Sequence, residues 1–145
     1  MKNLIISVVV FGFGCLTTSS FADGKKGDAD SYISGMTAGC ARKGAPVKFD
    51  VNWGKESQFE GVGPTFSKLE TVFRNACSSF HELLTSKKIN KIHLLHDASK
   101  TEEGAYEMEM KSGALNFTAN LAKFRNSSAT PRVADKMEEL LKEKK

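Results

Sequence analysis

A pair of alternating segments on either side of Ser112-Gly113 sets the strongest limit on how this chain can fold. Apolar and polar side chains alternate in both segments, as they do in strands with one buried face. A two-residue turn at Ser112-Gly113 would pair Met110 with Leu115 and Met108 with Phe117, which brings both apolar sets to one face. The sequence therefore predicts an antiparallel hairpin. Its apolar face is Tyr106, Met108, Met110, Leu115, Phe117, Ala119 and Leu121, and its polar face is Glu107, Glu109, Asn116, Thr118 and Asn120.

Two earlier segments also carry strand patterns. Residues 47–53 alternate strictly between apolar and polar side chains. In KIHLLHD, residues 91–97, Ile92 and Leu94 mark the apolar face. Both patterns predict half-buried strands. The side chains on their opposite faces are Lys48, Asp50, Asn52, Lys91, His93, Leu95 and Asp97.

Three segments have apolar residues at three- and four-residue intervals, which predicts helices at 28–42, at 65–88 and from Pro131 onward. The element order is therefore α-β-α-β-β-β-α. Amphipathic strands and helices bury each other most simply in two layers. We expect an α+β two-layer sandwich, in which three helices cover one face of about four mostly antiparallel strands. The longest apolar stripe is Phe66, Leu69, Phe73, Ala76, Phe80, Leu83 and Leu84.

Residues 1–22 have the pattern of a secretory signal peptide. A lysine precedes an uncharged apolar run, and Ser20-Phe21-Ala22 places small residues at the −3 and −1 positions of a cleavage site. The run is shorter than the roughly 20 residues of a membrane span, so we expect no transmembrane segment and a periplasmic or secreted protein. A lipid anchor at Cys15 is the less favoured alternative, because Gly12 is unusual at −3 of a lipoprotein signal. Residues 23–145 then form a single small domain.

Two cysteines remain after removal of the leader, Cys40 and Cys77. An even number of cysteines in an exported chain indicates a disulfide. Their spacing is unlike a CxxC redox motif, and two cysteines alone do not complete a structural zinc site. We therefore predict that Cys40 and Cys77 join the first helix to the second.

The charge of the mature chain argues against nucleic-acid binding. Loss of Lys2 leaves 20 basic and 17 acidic side chains, which alternate through most of the sequence. A nucleic-acid surface normally carries a basic stripe with interleaved aromatic residues, and this sequence has none. We expect no nucleic-acid partner.

The two histidines of KIHLLHD raise the question of a metal or catalytic site. In a strand, His93 and His96 point to opposite faces and cannot share an ion. His93 and Asp97 share a face but lie about 13 Å apart, too far for a hydrogen-bonded dyad. If residues 91–97 were helical, the histidines would be neighbours and could bind a metal ion weakly. The strand is favoured, so we predict neither a metal site nor a cofactor.

No sequence motif identifies a reaction, and the function remains a hypothesis. We expect an exported, non-catalytic binding or inhibitory module that contacts a polar or protein partner through the sheet face opposite the helices. The alternative is a small secreted hydrolase using Glu107 or Glu109 with His93, since carboxylates about 7 Å apart suit acid–base chemistry on a glycoside. The candidate binding face is Lys48, Asp50, Asn52, His93, Glu107, Glu109, Asn116, Thr118 and Asn120.

The leader pattern predicts cleavage between Ala22 and Asp23. N-terminal sequencing of the exported protein should therefore begin at Asp23. A mature chain that begins with a lipid-modified Cys15 would contradict the prediction and would make the protein membrane-anchored.

Overall fold

The described part of the chain folds into three helices and four strands in the predicted order. The structure, a computed structural model, describes residues 20–54, 62–102, 104–124 and 129–143. Residues 1–19 of the predicted leader, Cys15 included, lie outside the described residues. In the parts of the chain that are described, no helix combines the length and the apolar character needed to cross a bilayer. The elements are α1 (Ser20–Arg42), β1 (Lys48–Asn52), α2 (Val62–Ser86), β2 (Lys91–His96), β3 (Tyr106–Lys111), β4 (Ala114–Ala119) and α3 (Ala129–Lys142).

The four strands form one mixed sheet in the order β1-β2-β4-β3. The α+β class and the element order are confirmed, but the expectation of a mostly antiparallel sheet is wrong. Strand β2 runs parallel to both β1 and β4, and only β3 and β4 are antiparallel. Helix α2 carries the chain back between β1 and β2, so these strands run in the same direction. Alternation shows which face a side chain occupies, but it does not show the direction of the strand.

The β3–β4 hairpin has the predicted turn and register. Ser112 has φ 52° and Gly113 has φ 78°, and positive φ at both central residues is the condition for a type I′ turn. Met110 lies opposite Leu115, and Met108 lies opposite Phe117. Both predicted pairings are confirmed, so the turn and the alternation specify the same hairpin.

Phe117 lies at the centre of the apolar layer between the sheet and the helices. Its ring packs edge-on against Phe73 of α2, at 5.6 Å between centroids, and against Phe124 at 5.5 Å. It also stacks on Tyr106 at 5.4 Å. Phe73 in turn contacts Phe49 of β1 at 5.3 Å. These rings connect both edges of the sheet to α2.

Helices α1 and α2 lie close together along a glycine face. A methyl group on Gly35 would come within 2.8 Å of the Glu70 carboxylate, and one on Gly39 would come within 2.8 Å of the Arg74 side chain. Directly after Gly39, Cys40 forms the predicted disulfide with Cys77, and their Cα atoms are 5.2 Å apart. The glycines disfavour an isolated helix, but here they allow the helix–helix contact. The predicted disulfide is confirmed.

The disulfide should make a large contribution to stability, because it closes a loop across 37 positions of the chain. In the chain-entropy model a loop of this size stabilises the fold by about 4 kcal/mol. We expect the Cys40→Ala/Cys77→Ala variant to lose about that much free energy of unfolding in urea titration. Reduction of the wild-type protein should give a similar loss. An unchanged unfolding midpoint in both cases would contradict this prediction.

Candidate functional site

One face of the sheet is left uncovered by the helices, and we call it the open face. The strand register arranges its side chains in three rows that run across all four strands. Side chains in a row belong to neighbouring strands and lie about 5 Å from the next. The lysine row is Lys48, Lys91, Ala114 and Lys111; the histidine row is Asp50, His93, Asn116 and Glu109; the threonine row is Asn52, Leu95, Thr118 and Glu107.

Of the nine residues predicted for this face, Asn120 alone lies elsewhere. Strand β4 ends at Ala119, and the chain then enters a turn, so the alternation no longer applies. The Asn120 side chain accepts a hydrogen bond from the Ala122 N–H at 3.2 Å, and the residue is only 6% exposed. The prediction that Asn120 is exposed on this face of the sheet is therefore wrong. The other eight residues occupy the three rows.

The histidine row is held together by two cross-strand hydrogen bonds. His93 Nδ1 donates to Asp50 Oδ1 at 2.5 Å, and Asn116 Nδ2 donates to Glu109 Oε1 at 3.2 Å. Asp50 and His93 are 43 residues apart in the chain, and their contact follows from the parallel pairing of β1 with β2. The alternation predicts both residues on one face but does not predict the pair, because a single sequence does not show the order and direction of the strands.

His96 and Asp97 have separate local roles at the far end of β2. His96 Nδ1 accepts a hydrogen bond from the Leu121 N–H at 3.1 Å. Asp97 Oδ1 accepts from the Ser99 hydroxyl at 2.6 Å and from the Ser99 N–H at 2.9 Å. Both bonds stabilise the charged carboxylate, and the bond from the Ser99 hydroxyl has the larger effect. They hold the pKa of Asp97 below its ordinary value. Residues 91–96 are a strand, as predicted.

The lysine row borders a shallow depression of about 390 Å³ beside the hairpin turn. Lys91 and Lys111 line it on either side of the small side chain of Ala114, and His93 and Asn116 lie along its inner edge. Neither lysine forms an ion pair with any described residue. Both were absent from the predicted site, although Lys91 lies two residues before His93 and so shares its face. The depression can accept an anionic or hydrogen-bonding group.

The two carboxylates of the hydrolase hypothesis are already paired. Lys100 Nζ lies 2.6 Å from Glu107 Oε1, and the Lys100 side chain is only 15% exposed. Glu109 accepts the bond from Asn116, and β4 separates it from His93 by about 10 Å. Among the described residues, no three His, Cys, Asp or Glu side chains are close enough together to hold a metal ion.

Comparison with known proteins gives no relative for this arrangement. No protein-family model, no curated protein and no solved structure matches the chain.

Zinc should not bind tightly to the histidines of β2. His93 hydrogen-bonds to Asp50 on the open face, and His96 accepts its bond from Leu121 at the end of the strand. Calorimetric titration of residues 23–145 with zinc should show no tight stoichiometric event. A one-to-one transition that disappears in both His93→Ala and His96→Ala would contradict the prediction.

Proposed function

We propose that this protein is an exported, non-catalytic binding or inhibitory module, whose open face contacts a polar protein partner. The leader pattern of residues 1–22 supports export, and the Cys40–Cys77 disulfide is compatible with an oxidising compartment. A mixed sheet backed by a helical layer supplies a rigid platform for the contact. The open face presents polar side chains in three rows across the four strands.

The charge layout of the three rows carries the proposal. The lysine row is cationic, whereas Asp50 and Glu109 place carboxylates at the two ends of the next row. An anionic membrane or a nucleic acid would be attracted to the lysines and repelled by these carboxylates. A protein surface can present both signs of charge in a complementary pattern, which favours specificity. The half-buried Leu95 adds an apolar contact in the threonine row.

The same geometry gives less support to the hydrolase alternative. Its general acid or base would be Glu107 or Glu109, and each already has a hydrogen-bond partner. The depression on the open face is lined by His93 but by neither of these glutamates. A binding role, in contrast, requires no change in the hydrogen bonds that Glu107 and Glu109 already form.

A variant that neutralises the acidic side of the open face should lose partner binding and retain the fold. We choose Glu107→Gln, Glu109→Gln and Asn116→Ser together, because Gln at 107 still offers an oxygen to the half-buried Lys100. Exposed substitutions change the free energy of unfolding by about 0.5 kcal/mol or less each. The immobilised wild-type domain should capture its partner from the native envelope fraction or culture medium, and the variant should bind that partner about tenfold more weakly.

A control variant makes the same chemical changes on the helical layer. Glu82→Gln, Glu139→Gln and Asn75→Ser remove two carboxylates and one amide from exposed positions of α2 and α3. This variant should keep full affinity, and both variants should have wild-type thermal melts. Equal capture by all three proteins would show that the open face is not the binding surface.

A further inference from the structure

A second cavity lies outside the open face, where the C-terminal ends of α2 and α3 meet the β3–β4 hairpin. Its volume is about 560 Å³, which lies within the roughly 300–1,000 Å³ range of small-molecule sites. Ile89, Met110, Leu140 and Leu141 form an apolar wall. Ile89 and Leu141 belong to the buried core, while Met110 and Leu140 are half-buried and pack against it. The cavity is therefore a recess in the apolar layer that opens to solvent.

The rim of this recess is mainly cationic. Lys87, Lys88 and Lys111 line it, and Glu143 is the acidic residue among the lining side chains. Lys87 Nζ donates to the main-chain oxygen of Glu143 at 2.7 Å, so this ammonium group is held across the two helix ends. Lys88 and Lys111 form no ion pair with the described part of the chain. The two helix ends carry partial negative charge that offsets some of the lysine charge. Two lysine side chains nevertheless remain available to an incoming anion.

We propose that this cavity binds one small amphiphile with an unbranched apolar chain and a single carboxylate, such as a medium-chain fatty acid. The chain would lie against Ile89, Met110 and Leu140, and the carboxylate would lie at the rim between Lys88 and Lys111. Burial of apolar surface gives affinity, and the lysines give selectivity for the charged head group. The flexible, unbranched side chain of Met110 can adjust to the shape of the ligand.

Other occupants match the cavity less well. An uncharged hydrocarbon would leave the cationic rim without a counter-charge, and a sugar would find no hydrogen-bonding groups along the apolar wall. A membrane surface would need apolar side chains that protrude, whereas these side chains line a recess. The proposal is independent of the open face, because Lys111 at the hairpin edge is the only residue of the three rows that lines this cavity.

Methionine-methyl NMR tests the proposal, because the same protein contains a methionine that lines the cavity and one that does not. Residues 23–145, labelled at the methionine methyl groups, would be titrated with decanoate below its micelle concentration. The Met110 methyl resonance should shift and saturate at one equivalent. Met36 is fully buried in α1 and does not line the cavity, so its resonance should stay unchanged. The absence of a saturable Met110 shift, or equal shifts at both methyl groups, would overturn the proposal.

The role of the rim is tested with decan-1-ol, which has the same chain length and no charge. The Lys88→Gln/Lys111→Gln variant should bind decanoate roughly five- to tenfold more weakly, with little change for decanol, because it loses two charge contacts. The matched control Lys43→Gln/Lys123→Gln removes two exposed lysines that do not line the cavity, and it should bind as the wild type does. Equal loss of decanoate affinity in both variants would reject a specific role for Lys88 and Lys111.

Discussion

The alternation of apolar and polar side chains along four strands, held in one register, is the constraint on which this structure depends. Register aligns Val51, Leu94, Phe117 and Met108 across the sheet on the core side. The same pairing produces the three rows of the open face on the other side. A slip of one residue in any strand would bury its polar or charged residues and expose its apolar ones, at a cost on the order of several kcal/mol. The strand register therefore determines both the core and the candidate binding face.

The helical layer holds this sheet from one side and produces the second cavity. Phe73 of α2 reaches both Phe49 and Phe117, so one helix connects an edge strand to an inner strand. The Cys40–Cys77 disulfide then ties α1 to α2. Where α2 and α3 end beside the hairpin, the packing leaves the lysine-rimmed recess. The two proposed binding regions thus lie on opposite sides of the β3–β4 hairpin, with Lys111 at the edge of both.

Much of the fold could be predicted from the sequence, because local patterns specify it. The turn at Ser112-Gly113, the faces of the strands and the cysteine pair each depend on side-chain chemistry that a single sequence shows. Strand direction and order depend on how long connections cross the sheet, so the two parallel pairings were missed. The Asp50–His93 bond was missed for the same reason. Asn120 was misplaced because alternation was extended past the end of β4.

Cross-strand NMR contacts between β1 and β2 test the central claim most directly, since this parallel pairing positions both the core row and the histidine row. In residues 23–145 labelled with ¹³C and ¹⁵N, nuclear Overhauser effects should place Asp50 opposite His93 and Lys48 opposite Lys91, in the pattern of a parallel pair. The His93 ring should also show contacts to the Asp50 side chain. Contacts that place Asp50 opposite Leu94, or an antiparallel pattern between these strands, would contradict the account of the open face.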